Sequence, residues 1–261
     1  MKYKKDNLTK LLKLVEEISN QPENEWFKND LKKKVTANSS INNSSTIDEI
    51  YEYCIKLIIK DHAEKFYADF KLLGIKERLI EDFIRMEKFR RDDNFEDFCL
   101  AAYQQLESII NELIKAPEFV NYYRDNRDMP AILRYDKTTK TYIINDFAQP
   151  IGKLIFQTVD LIKIDFYLNN SVQSWFFNHK FRAVIYFYYF NKEIKATTDL
   201  FDRVYEIGNI LYQGRNLNHR GVVQSEYQQG IIDHIIPNQH KYYFKFLGFL
   251  EDFITSVNKN I

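Results

Sequence analysis

The stretch from Phe95 to Leu113 reads FEDFCLAAYQQLESIINEL and carries the clearest structural signal in the chain. Its apolar side chains recur at every third or fourth position over about five turns of helix. Polar residues, including Glu107 and Asn111, flank or interrupt this stripe. The pattern predicts an amphipathic helix with one buried side, formed by Phe95, Cys99, Ala102, Leu106, Ile109, Ile110 and Leu113.

The same spacing recurs along most of the chain and predicts further helices. Glycine and proline are scarce, at 7 and 5 of 261 residues, which disfavours all-β folds and Gly-rich phosphate loops. Two β-prone runs, 131–136 and 141–145, predict a hairpin between Pro130 and Pro150. We therefore expect an all-α helical bundle with a small β-hairpin insertion near residues 131–145. The other helices are expected at 8–18, at 26–35, from 46 towards 70, and at 75–89, 151–168, 172–190, 199–212 and 239–257.

A polar tract, TANSSINNSS at residues 36–45, has no apolar side chains to pack in a core beyond one isoleucine and is the best linker candidate. Thr46 and Glu49 follow it with the spacing of a helix-capping box. The chain is thus expected to divide into an N-terminal helical extension with a linker, residues 1–45, and a helical domain, residues 46–261.

The composition excludes several classes of protein. Aromatic residues make up 16% of the chain, which is too much apolar surface for an intrinsically disordered protein. The 37 basic and 37 acidic residues balance, which excludes polybasic binding of nucleic acid and leaves only a local patch. Cys54 and Cys99 have no CxxC partner, and neither an export signal nor an apolar run long enough for a membrane span is present. We expect a cytoplasmic protein that does not contact the membrane.

The one dense polar cluster is Arg215-Asn216-Leu217-Asn218-His219-Arg220, which lies between Gly214 and Gly221. The predicted helix before it ends at Tyr212, and Asn216 or Asn218 could cap a new helix. In a helical segment, Arg215 and His219 lie one turn apart, with about 6 Å between their Cβ atoms. Both side chains could then reach the same phosphate.

This pair of residue types suits RNA cleavage. Histidine changes protonation near neutral pH, so it can take a proton from a ribose 2′-OH or give one to the leaving 5′-oxygen. Arginine stays charged and offers a planar fork of donors to phosphate oxygens. Because the 2′-OH is the nucleophile, the reaction needs no metal and no cofactor and leaves a 2′,3′-cyclic phosphate.

At these residues the sequence resembles the HEPN superfamily of helical bundles, which includes many RNases of toxin–antitoxin, CRISPR and abortive-infection systems. The family signature is an Arg, usually followed by Asn, and a later His, which correspond here to Arg215, Asn216 and His219. Three residues separate the Arg from the His, fewer than is usual in the family. The resemblance covers the motif, its flanking helices and the stretch YQQLESIINEL, and it implies an endoribonuclease of bacterial defence or growth arrest, with a homodimer that forms a composite site.

The site assignment follows from this resemblance. Arg215, Asn216, Asn218 and His219 are predicted to be catalytic, and Arg220 and Tyr212 to bind the RNA substrate. An antitoxin or a nucleotide is a candidate regulator. The alternative is a non-catalytic module that binds RNA or a protein, in which RNLNHR is only an interhelical turn.

Three further groups of residues have two readings each. His219, His234 and His240 with Asp233 fit no compact metal site and are more simply solvated or capping residues. Glu107 and Asn111 either orient the motif or face solvent. The aromatic residues between Trp175 and Phe190 either stack RNA bases or form core or a subunit interface.

Overall fold

The computed structural model describes residues 5–30, 47–158, 160–191, 197–218 and 225–261. Contacts divide the chain into two compact units, residues 1–56 and 57–261. The first unit contains α1 (Lys5–Ser19) and a short 3₁₀ turn (Pro22–Asn24), and residues 25–30 are also helical. The predicted domain boundary at residues 45 and 46, including Thr46 of the expected capping box, lies outside the described residues.

Helices form most of the described chain, which confirms the predicted fold class. The helix predicted from residue 46 towards residue 70 is present from Ile47, the first described residue of this part of the chain, and ends at Phe66. None of the described helices is long and apolar enough to span a bilayer. The helices after α1 are α2 (Ile47–Phe66), α3 (Leu73–Arg91), α4 (Phe95–Leu113), α5 (Pro117–Asp125), α6 (Ile151–Phe156), α7 (Leu161–Asn169), α8 (Phe177–Ile185), α9 (Thr198–Gly214), α10 (Glu226–Ile235) and α11 (Gln239–Asn260).

Helix α4 lies in the middle of the core of the second unit. Its bounds coincide with the stretch that carries the apolar stripe, and all members of that stripe are buried. Asn94 caps the helix, since its side-chain oxygen accepts a hydrogen bond from the Asp97 N–H at 3.2 Å. Because α4 packs against α3, α8, α9 and α11, it fixes the positions of the elements that surround the predicted site.

The predicted hairpin is also present. Strand β1 (Leu133–Asp136) pairs with β2 (Thr141–Ile144) in an antiparallel register that sets Leu133 opposite Ile144. The hairpin is attached to α9, because the Tyr142 N–H donates to Asp202 Oδ1 at 3.0 Å and the Tyr142 ring packs against Phe201.

Two of the expected helices are interrupted. The stretch 151–168 forms α6 and α7 instead of one helix, because Gln157 takes a left-handed conformation with φ 49° and ends α6. Asp160 then caps α7 by accepting hydrogen bonds from two backbone N–H groups. In the stretch 172–190 only α8 is an α-helix, preceded by a 3₁₀ turn (Val172–Ser174) and followed by a π-helix (Tyr186–Asn191).

Candidate functional site

The predicted motif follows α9 without a break. A 3₁₀ helix, Arg215–Asn218, continues directly from Gly214 and packs on α4. A Cβ at Gly214 would lie 3.3 Å from the Cys99 sulfur, so the close contact with α4 leaves little room for a larger residue. The structure differs from the expected cap at Asn216 or Asn218: both lie inside the 3₁₀ helix, and Ser225 caps α10. His219 and Arg220 lie outside the described residues, so their positions relative to Arg215 stay predictions.

Arg215 is held between two tyrosine rings. Its guanidinium carbon lies 4.5 Å from the centre of the Tyr103 ring on α4 and 4.2 Å from that of Tyr212 on α9. A planar, weakly hydrated guanidinium stacks well on aromatic faces. Tyr212 in turn stacks on Phe177 at the start of α8, with 5.0 Å between the ring centres. The three helices together therefore fix the position of the arginine.

Hydrogen bonds from α4 support this arrangement. The Tyr103 hydroxyl donates to Glu107 at 2.7 Å. Burial, and next this hydrogen bond, raise the pKa of Tyr103, so the hydroxyl stays a donor. One turn further, the Lys180 ammonium of α8 donates to Asn111 at 3.0 Å. Glu107 thus bonds to the tyrosine whose ring contacts Arg215, and Asn111 bonds to Lys180 one turn further along α4.

The Arg215 guanidinium forms no ion pair with a described residue, although the Glu107 carboxylate bonds to Tyr103, whose ring the guanidinium contacts. Among the residues that the structure describes, no carboxylate lies within ion-pair distance of it, and its Nε is buried without an acceptor. Arg90, in contrast, pairs with Glu87 at 2.8 Å. A cation that is fixed in position and lacks a carboxylate partner is suited to an anion from outside the chain.

A polar cleft of about 740 Å³ lies beside the motif, and Tyr212, which contacts Arg215, is one of its lining residues. Helices α8, α9 and α10 form most of its walls, and β1 and the end of α6 complete them. The described lining contains no carboxylate. It consists of Tyr135, Phe156, Gln157, Phe176, Asn178, His179, Arg182, Tyr205, Asn209, Tyr212, Gln213, Ser225, Tyr227 and Gln228.

Arg182 is the charged group of this cleft and is only 3% exposed. Its Nε donates to the Ile155 carbonyl and its Nη1 to the Tyr205 hydroxyl, both at 2.7 Å. These acceptors are neutral, and no described carboxylate forms an ion pair with Arg182. Burial of a charge that lacks a partner is costly, so this site is electrostatically incomplete.

His179 lies one turn before Arg182 and is surrounded by the rings of Phe156, Tyr167 and Phe176. Burial, and next the charge of Arg182, lower its pKa from 6.5 to about 4. The imidazole is therefore neutral at pH 7. Its Nδ1 and the Oδ1 of Asn178 are both buried and have no hydrogen-bond partner.

We expect the NMR titration of His179 to have its midpoint near pH 4, well below the value of about 6.5 that an unperturbed histidine side chain shows. The signal is assigned with the variant His179→Gln, which keeps a polar side chain of similar reach. Because the unfolded chain binds the proton at higher pH than the folded chain, the stability that His179 contributes is complete above pH 6.5 and falls as the pH drops towards 4. The wild type should therefore lose more stability than His179→Gln between pH 7 and 4.5, and a midpoint at or above 6.5 would contradict the burial of this group.

No family model, curated protein or solved structure matches the chain. Membership of the HEPN superfamily therefore stays a prediction from the motif.

Among the residues on which sequence reasoning made no prediction, His179 and Arg182 are the most important. The signal was present, because Asn178 and His179 lie four and three residues before Arg182, which is about one turn of a helix. The many aromatic residues around these three polar residues drew attention to the core instead. Of these aromatic residues, Trp175, Phe177, Tyr186, Phe187 and Tyr188 are buried in the core, whereas Phe176 is exposed at the cleft.

Proposed function

We propose that the protein is a metal-independent endoribonuclease. The observation that carries this proposal is Arg215: a stacked arginine without a carboxylate partner, at the first position of the RNxxH motif and beside a carboxylate-free cleft. Such a group can bind a phosphodiester in advance of the reaction and stabilise the charge that develops on it. The motif's resemblance to HEPN nucleases supports the same activity, in bacterial defence or toxin–antitoxin growth arrest.

In the proposed reaction, the ribose 2′-oxygen attacks the adjacent phosphorus and the bond from phosphorus to the 5′-oxygen breaks. His219 takes the proton of the 2′-OH or supplies one to the leaving oxygen. Arg215 stabilises the phosphorane, while Asn216 and Asn218 position phosphate or imidazole. Arg220 contacts the RNA backbone, and Tyr212 holds Arg215. A homodimer, and control by an antitoxin or a nucleotide, belong to the proposal through the resemblance alone.

The test is incubation of the full chain with end-labelled RNA in excess EDTA. We expect fragments with 2′,3′-cyclic phosphate ends from the wild type, intact RNA from His219→Ala, and no cleavage of a DNA of the same sequence. The His219→Ala preparation controls for contaminating nucleases. RNA that stays intact with the wild type, with and without a cell extract as source of an activator, would refute the proposal.

The second candidate function is RNA binding without cleavage. The absence of carboxylates from the described cleft lining favours it, since no lining carboxylate opposes the binding of an anion, whether or not that ligand is cut. RNA that binds the wild type and is recovered intact would favour this function.

A further inference from the structure

We propose that the carboxylate-free cleft is a nucleotide-binding site, which takes the phosphate of one nucleotide at Arg182 and its base against Phe176 and Tyr227. The ligand is either a nucleotide of a single-stranded RNA or a free nucleotide, because both present the same chemistry. This inference does not rest on RNA cleavage and concerns residues outside the RNxxH motif.

The case for an anion comes from Arg182. Its guanidinium is almost completely buried, lines the cleft and has only neutral acceptors among the described residues. A phosphate that enters the cleft would supply the missing negative charge, and a charge-assisted hydrogen bond is stronger than one between neutral groups.

The case for a base comes from two exposed rings. Phe176 is 66% and Tyr227 62% exposed, and both line the cleft, on the side of α8 and of α10 respectively. Rings that keep free faces at a polar cleft are suited to stacking, which every base can use. The volume of about 740 Å³ is within the usual range of small-molecule sites, about 300–1,000 Å³.

The case for recognition of the base edge comes from buried polar atoms without partners. Asn178 Oδ1 is an acceptor with no donor, and His179 Nδ1 also lacks a partner. Unpaired buried groups of this kind are costly unless a ligand satisfies them. The amino and ring N–H groups of a base could donate hydrogen bonds to these two atoms.

The test measures the affinity of the full chain for AMP, GMP, CMP and UMP, for the four nucleosides, and for a short single-stranded RNA, by isothermal titration calorimetry. The RNA titrations use the His219→Ala chain so that cleavage does not consume the ligand. We expect at least one monophosphate or the RNA to bind, and a nucleoside to bind at least about tenfold more weakly than its monophosphate, since it lacks the charged group that Arg182 contacts.

The decisive variants are Phe176→Ala and Tyr227→Ala, because both side chains are largely exposed. Since Tyr227→Ala also removes the hydrogen bond that the tyrosine hydroxyl accepts from Asn209 at 2.7 Å, the unfolding midpoint of each variant is compared with that of the wild type. Arg182 is a poor first choice, since it is buried and holds Ile155 and Tyr205. Phe244→Ala is the matched control: Phe244 is 65% exposed on α11 and does not line the cleft. We expect each cleft variant to weaken binding by about fivefold or more, and the control to stay within about twofold of the wild type.

The outcomes also separate the two sources of the ligand. If monophosphates bind and the two cleft variants weaken their binding, the ligand is a free nucleotide. If RNA binds, the same variants weaken its binding and monophosphates do not compete with it, the ligand is a nucleotide of the strand. Affinities that do not change in Phe176→Ala and Tyr227→Ala, or a nucleoside that binds as tightly as its monophosphate, would overturn the proposal. Nucleotide binding without RNA cleavage would refute the nuclease function alone.

Discussion

Replacement of Arg215 by alanine is expected to slow RNA cleavage about 10²–10³-fold, the usual effect of removing a group that stabilises charge in a transition state. The physical reason is the position of the guanidinium, which Tyr103 and Tyr212 hold on α4 and α9 before any substrate arrives. Since this group acts mainly on the developing charge, the loss should be in kcat more than in KM. Single-turnover cleavage of labelled RNA measures it.

Two comparisons keep this result interpretable. Arg215→Lys keeps the charge but loses the planar group that stacks and donates two parallel hydrogen bonds, so we expect only partial recovery. Arg124→Ala is the matched control, because Arg124 is exposed and contacts Asp125 at the surface. An Arg215→Ala chain that folds and cleaves at the wild-type rate would show that Arg215 takes no part in the reaction.

Replacement of Gly208 by alanine is expected to destabilise the fold by about 1–3 kcal/mol, because the backbone of α9 packs directly on the Phe181 ring of α8 at this point. A Cβ at Gly208 would overlap the Phe181 ring, and it would lie 3.2 Å from Cζ of Phe249. Phe181 is completely buried and contacts the Phe249 and Phe253 rings, so its ring has no free space to move into. Thermal or urea unfolding measures the loss.

Gly248→Ala is the control for this substitution, and its expected effect has the opposite sign. Gly248 lies within α11, and a Cβ there would meet no atom within 4 Å. Alanine should therefore stabilise the helix by about 0.5–1 kcal/mol through its higher helix propensity. If Gly208→Ala were as stable as the wild type, the contact between α8 and α9 would be looser than the structure shows.

The elements that depend on local patterns could be predicted from the sequence. The stripe from Phe95 to Leu113 gave the bounds of α4, and the two β-prone runs gave the hairpin. The prediction of helix ends failed where the backbone conformation of a single residue ends a helix. The apolar spacing predicts one helix over residues 151–168, but Gln157 takes a left-handed conformation and Asp160 caps a second helix. The spacing of apolar residues indicates which side of a helix is buried, and it does not indicate where the backbone turns.

The site could be predicted only in part. The sequence drew attention to Arg215 and Tyr212 through a polar motif after an amphipathic helix, and the structure adds their contact with each other. Tyr103 begins the stretch YQQLESIINEL but was not assigned to the site, because it lies more than a hundred residues earlier in the sequence than the motif, on a helix whose apolar stripe indicates core. His179 and Arg182 escaped notice because a run of aromatic residues surrounds them.

The sequence by itself determined the helical class, the hairpin and the motif, since each depends on residues a few positions apart. The tertiary structure alone decided that Arg215 stacks between Tyr103 and Tyr212 without a carboxylate partner, and that Arg182 is buried beside a cleft whose described lining has no carboxylate. The physical reason is that local spacing sets which face of a helix is apolar, whereas the environment of a charge depends on the residues that other helices bring to it.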